Sequence, residues 1–223
     1  MPKLYIVATP IGNLSDITFR AVKVLKEANF LIVEDKRRTS ILLNHYKIGK
    51  KEMVAIAERS SASKIEKIVD RIKRADVAAL LSDAGTPVVS DPGRAVVQRC
   101  WEEGIDVDVV PGPSAVISAL SASGFPASKF IFLGFLPKGR RRRRLLKDVK
   151  GSFTVVFFES PYRFIDTLRE ILDIWGDVEI FVAREMTKIH QELFRGKVSE
   201  AVEHFNGEVK GEITVVLRKG ENR

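Results

Sequence analysis

One cysteine in 223 residues, Cys100, rules out an internal disulfide and fits a reducing compartment. It lies in an apolar helical stretch before Trp101, where a structural thiol is the expectation. The only histidines, His45, His190 and His204, show no spacing with Cys100 that a zinc site needs, so no metal centre is expected. No apolar run approaches the roughly 20 residues of a membrane span. The start, Met1-Pro-Lys-Leu-Tyr-Ile-Val, reads as a first strand with no cleavable leader. Neither Gly-x-x-x-x-Gly-Lys-Ser/Thr nor Gly-x-Gly-x-x-Gly occurs near the glycine-rich turns, which favours a cofactor without phosphate. A serine-nucleophile elbow, Gly-x-Ser-x-Gly, is missing too.

What is present is basic and regularly patterned. Net charge is +8 with pI near 9.6, which suits an anionic partner. Heat-adapted proteins, rich in both charge signs, offer another origin for such a surface. A hydrophobic fraction of 45% is ordinary for a folded chain. Apolar runs at 4–8, 30–33, 54–56, 77–81 and 107–110 alternate with helical patterns at 17–28, 38–45, 63–74 and 94–103. Ile65, Ile68, Val69 and Ile72 repeat every three to four residues, the signature of a helix face. Strand–helix alternation with short links predicts a mainly parallel α/β sheet. After Pro111-Gly-Pro-Ser114, a helix at 115–123 leads to strands at 130–133, 154–158, 179–183, 192–195 and 212–217, with helices at 160–175 and 199–205. Fewer helices there predict a mixed sheet. The expected architecture is α/β in two domains, residues 1–112 and 113–223.

Two turns dominate: Ser82-Asp-Ala-Gly-Thr-Pro-Val-Val-Ser-Asp-Pro-Gly93 and Pro111-Gly-Pro-Ser-Ala115. Each follows an apolar run and precedes a helix, so two strand ends and two helix starts come together at the ligand-binding edge of an open sheet. Asp83 is the better ligand candidate of that turn; Asp91, before Pro92 and Gly93, reads as a helix cap. Thr9-Pro-Ile-Gly-Asn-Leu-Ser-Asp-Ile-Thr18 follows the first strand, with Asp16 able to cap the next helix; it is either a well-built turn or part of a site. Glu34-Asp-Lys-Arg-Arg-Thr39 collects charge at another strand end, as a solvated loop or as a site. Glu159, behind Val155-Val-Phe-Phe158, is either poised at a sheet edge or paired with Arg163. Lys138-Gly-Arg-Arg-Arg-Arg-Arg144 is either an exposed helix start or a phosphate contact.

These segments, with Gly134-Phe-Leu-Pro137, Glu159-Ser-Pro-Tyr-Arg163 and Arg184-Glu-Met-Thr-Lys188, resemble the bacterial 16S ribosomal RNA (cytidine-2′-O)-methyltransferase family of the tetrapyrrole (corrin/porphyrin) methylase superfamily. The resemblance covers nearly the whole chain. Lys36 departs from it, standing where a small hydroxyl residue is expected. It implies a class III methyltransferase fold, two α/β domains with S-adenosyl-L-methionine in a cleft between them, and a homodimer acting on 16S rRNA of the small subunit, while the lone cysteine fits the cytoplasm. Cofactor contacts carry over to Pro10, Asp83, Gly85, Thr86, Ser114, Ala115, Phe158, Gly211, Glu212 and Thr214. Glu34, Asp35 and Glu159 become candidates for accepting a proton, with no choice made among them. Arg37, Arg140, Arg141, Arg142, Arg143, Arg144, Arg163 and Lys188 become candidates for RNA contact, with Phe135 and Tyr162 able to stack on a base. A tetrapyrrole precursor or protein side chain as acceptor, or a non-catalytic RNA-binding assembly protein, are the alternatives.

Overall fold

The computed structural model describes residues 1–149 and 151–219. They divide into two compact units, one from Met1 to Ser114 and one from Ala115 onward, a division two residues later than the expected boundary.

In the first unit the elements are β1 (Lys3–Val7), α1 (Phe19–Glu27), β2 (Phe30–Val33), α2 (Lys36–His45), β3 (Glu52–Ala55), α3 (Ala62–Arg74), β4 (Val77–Leu80), α4 (Arg94–Glu102) and β5 (Asp106–Val110). All five strands are parallel in the order β3-β2-β4-β1-β5. Helices cover both faces, so the central strands are apolar throughout: Phe30, Leu31, Ile32 and Val33 are all buried. Side-chain alternation sends Leu4, Phe30, Ile32 and Leu80 to one cluster and Val7, Leu31, Val33 and Leu81 to another. Helix α3 carries the expected stripe, with Ile65, Ile68, Val69 and Ile72 buried; full burial of such a side chain stabilises by about 1.5–3 kcal/mol.

From β1 the chain crosses to β2 on one side of β4, and from β4 it crosses to β5 on the far side of β1. The strand order therefore reverses between β1 and β4, and the crevice beyond their carboxyl ends is where such sheets bind ligands.

The second unit contains α5 (Ala115–Ser123), β6 (Phe130–Phe135), α6 (Arg140–Asp148), β7 (Thr154–Glu159), α7 (Phe164–Trp175), β8 (Glu179–Arg184), β9 (Glu192–Lys197), α8 (Val198–His204) and β10 (Ile213–Arg218). Its sheet runs β6-β7-β10-β8-β9, with β6 and β7 parallel and the other pairs antiparallel, a mixed sheet. One face packs on α6, α7 and α8 through Leu146, Phe157, Leu168, Ile180 and Ala201. The other packs on α5 through Ala119, Leu120, Val156, Phe181 and Val216.

Two helix starts differ from expectation. Thr18, not Asp16, caps α1: its hydroxyl accepts from the Ala21 amide at 3.0 Å, while Asp16 belongs to a short 3₁₀ turn, Leu14–Asp16. Helix α4 begins after Gly93, at φ +127°, with no side-chain cap, so Asp91 does not cap it. Gly93 is required there because a Cβ would lie 3.0 Å from Leu80 in a backbone region that L side chains rarely adopt.

Candidate functional site

At the switch point the two strand exits are joined. Thr9, just beyond β1, forms an antiparallel bridge with Gly85: the Thr9 amide donates to the Gly85 carbonyl at 2.9 Å, and the reverse bond is 3.0 Å. The Thr9 hydroxyl donates to the Ser82 carbonyl at 3.2 Å. Gly85 has φ +80°, and a Cβ there would sit 3.1 Å from Ile11. Thr86 then reaches the loop after β5, donating its hydroxyl to the Pro113 carbonyl at 3.1 Å. Pro10 is buried beside this junction. Three loops, after β1, β4 and β5, are thus fastened by backbone and hydroxyl bonds.

The carboxylates at this edge crowd. Asp83 accepts from the Asp35 amide at 3.0 Å and lies 3.5 Å from the Arg38 guanidinium. Glu34, at the rim, accepts from the Asp83 amide. Asp91 bonds to the Ser82 side chain. Burial raises Asp83 above the usual carboxylate range. Burial, and then the neighbouring Asp83, raises Glu34. Burial, and then Glu34, pushes Asp91 up to about 6. Like charges in reduced solvent resist joint ionisation, so this edge favours a cation that would relieve them.

Asp35 is engaged differently. Its carboxylate caps α2, accepting from the Arg37 amide at 2.7 Å, so a catalytic role would compete with a structural one. The Arg37 side chain is exposed. Ser114 and Ala115 stand where one unit ends and α5 begins.

In the second unit Glu159 ends β7 and is 1% exposed. One oxygen accepts from the Ser160 amide at 2.7 Å and from Arg163 at 2.5 Å; the other accepts from the Thr167 hydroxyl at 2.7 Å. The pairing with Arg163 is therefore the reading that holds, and the carboxylate is closed off rather than poised. Arg163 also donates to the Leu136 carbonyl at 3.0 Å. The arginine run divides. Arg142 is buried, donating to Thr167 at 2.6 Å and pairing with Glu170, which corrects the expectation that it faces phosphate. Arg143 pairs with Asp173 at 2.5 Å, and Arg144 with Asp148 at 3.7 Å. Arg140 and Arg141 are exposed, without an acidic partner among the described residues.

Lys188 is committed as well, to Glu185 at 2.8 Å and Glu212 at 3.1 Å. Burial lowers its pKa, but those hydrogen bonds outweigh it and the net shift is upward. Gly211, at φ +91°, lies so close that a Cβ would run into the Glu185 side chain. Phe158 contacts Phe132 and Phe135 at ring separations of 5.1 and 5.3 Å. It sits opposite the buried Thr214 in the ladder.

Thr9, Arg38, Ser82, Asp91 and Thr167 were not singled out as site residues. The first four lie within the quoted motifs, and their bonding is tertiary. Thr167 has a local signal: it stands four residues after Arg163 on the face shared with Phe164, Leu168 and Ile171.

The family pattern described as Tetrapyrrole (Corrin/Porphyrin) Methylases matches residues 3–202. The chain is 58% identical over 219 residues to the "Ribosomal RNA small subunit methyltransferase I" of Thermotoga maritima, covering 97% of this chain and 98% of that protein. It is 44% identical to the protein of the same name from Hydrogenobaculum sp., covering 97% and 96%. A uroporphyrin-III C-methyltransferase from Thermus thermophilus, solved with S-adenosylhomocysteine, superposes with a TM-score of 0.63 at 19% identity, over 96% of this chain and 91% of that one.

Proposed function

The chain belongs to the tetrapyrrole methylase family, and from that premise we propose that it methylates the ribose 2′-hydroxyl of a cytidine in 16S rRNA of the small subunit. Its methyl donor is S-adenosylmethionine. When bound, the donor supplies a sulfonium-activated methyl group, which passes to the acceptor oxygen as the carbon–sulfur bond breaks and the hydroxyl proton is released.

The observation that carries this reading is the carboxylate-lined switch point of the first unit. Asp83 and Asp91, partly buried, and Glu34 at the exposed rim present negative charge at one edge, which suits a cationic ligand without phosphate. The loops holding Pro10, Gly85, Thr86 and Ser114 are already fastened, so the ligand meets prepared geometry. In the second unit the proposal assigns cofactor contacts to Ala115, Phe158, Gly211, Glu212 and Thr214.

Of the three proton-acceptor candidates, Glu34 fits best. Asp35 is a helix cap and Glu159 is sealed by three donors, whereas Glu34 sits at the rim with its pKa raised by burial. A base whose pKa is shifted toward the working pH accepts a proton more effectively. Exposed Arg37, Arg140 and Arg141 are assigned to the RNA backbone. The same reading expects a cytoplasmic homodimer.

Incubation with methyl-labelled donor tests it directly. Label should enter small-subunit rRNA at a cytidine ribose. Label entering a tetrapyrrole precursor or protein, or RNA binding without incorporation, would replace this reading.

A further inference from the structure

Glu159 and Arg142 lie in one buried relay. Arg142 donates to Thr167, Thr167 donates to Glu159, and Glu159 accepts from Arg163 and the Ser160 amide. Arg163 continues to the Leu136 carbonyl, on the segment that leads into α6. The relay therefore ties two surface segments to a single carboxylate: the start of α6 and the 3₁₀ turn Pro161–Arg163.

Burying these charges is a poor way to gain stability, because well-packed apolar residues commonly do as well or better. What directed hydrogen bonds add is a fixed orientation of the backbone they hold. The turn they hold carries Tyr162, which is 94% exposed and has no ring partner among the described residues. Pro161 at its first position restricts the turn further. The other segment carries Arg140 and Arg141, both exposed and without acidic partners among the described residues. An exposed tyrosine alone needs no explanation. One on a turn locked from below, tied through Arg142 to the helix start that bears two exposed guanidinium groups, has the components of a single-stranded nucleotide site: a ring for the base and cations for the phosphates.

We propose that Tyr162 is an RNA-binding residue that stacks on an unpaired base, and that Glu159 is its positioning residue, holding it in fixed register with Arg140 and Arg141. This rests on the rRNA methyltransferase reading above. It assigns Glu159 to RNA placement rather than to proton transfer.

The test is steady-state methyl transfer to small-subunit rRNA, with KM for RNA and for cofactor measured separately. Tyr162→Ala should raise the RNA KM about tenfold, the scale of one lost stacking contact. The cofactor KM and the melting temperature should not move. Tyr162→Phe should return the RNA KM to within about twofold of wild type, since the ring suffices for stacking. Glu159→Gln should raise the RNA KM, and combining it with Tyr162→Ala should cost clearly less than the two effects added, because both act in part through one contact. Should Glu159→Gln fail to fold, Thr167→Val cuts the same relay. An unchanged RNA KM in Tyr162→Ala, failure of Phe to rescue, an altered subunit association that accounts for the loss, or full additivity would overturn the proposal. Absence of any transfer to rRNA by the wild-type protein would instead sink the functional reading on which it stands.

Discussion

Each unit ends a buried strand with a carboxylate, and the two are treated in opposite ways. In the first, Asp83, Glu34 and Asp91 gather at the strand ends with one arginine at 3.5 Å from Asp83, and all three are raised. In the second, Glu159 is fully enclosed and its oxygens are saturated by an arginine, a hydroxyl and an amide. Crowded and undercompensated acids form an edge that a cation can stabilise. An acid surrounded by donors has nothing left to offer a ligand and serves as a fastening. Position at a strand end is thus insufficient to mark a reactive group; the balance of neighbouring charge decides.

The largest expected effect tests the fastening. Glu159→Ala should destabilise the second unit by about 3–5 kcal/mol, as Arg163 and Thr167 lose their shared partner. Urea denaturation measures it, and a loss below about 1 kcal/mol would erase the contrast between the units.

Asp83→Asn should weaken cofactor binding about 10–100-fold, the range for losing hydrogen bonds to a charged group. Its effect on folding should be slight. Unchanged affinity by calorimetry would remove Asp83 from the site.

The arginine run allows a sharper split within the second unit. Arg142→Ala should cost about 2–3 kcal/mol in stability, since Glu170 keeps only its longer contact to Arg143 and Thr167 loses a buried donor. Arg140→Ala with Arg141→Ala should leave unfolding within about 0.5 kcal/mol and flatten the salt dependence of RNA binding by about 1–2 in log–log slope. The reverse pattern would mean that the buried and exposed arginines have been exchanged.

The smallest effect concerns pH. The Asp91 carboxyl binds its proton more tightly folded than unfolded, so the stability it contributes is present below the ordinary value of 3.8 and is lost as pH rises through about 6. Asp91→Asn should remove that loss, making the variant more stable than wild type above pH 6 by about 1 kcal/mol, after discounting a half-exposed group for screening. Melting curves at pH 4 and pH 8 read the difference.

Much of this fold was legible, because the cues are local. Turn chemistry after apolar runs located the first unit's strand ends, and three-to-four residue spacing identified α3. The misreadings share a cause. Asp91 precedes Pro and Gly, a sequence that looks like a capped helix start, yet the chain turns at Gly93 and leaves the carboxylate among other acids. Five consecutive arginines carry no periodicity of their own, so nothing in the run distinguished Arg142. Its inward direction follows from Leu146, one helical turn on and fully buried. The capping role of Asp35 and the enclosure of Glu159 depend on where each carboxylate turns, which composition at a strand end leaves open.

The Thr9–Gly85 bridge has a consequence for ligand exchange. Two chain segments some 75 positions apart are clasped before any small molecule arrives, so their loss of freedom belongs to folding and not to capture. Hydrogen exchange at those two amides should accordingly be slow in the free protein and barely slower once the donor is added, with new protection appearing elsewhere.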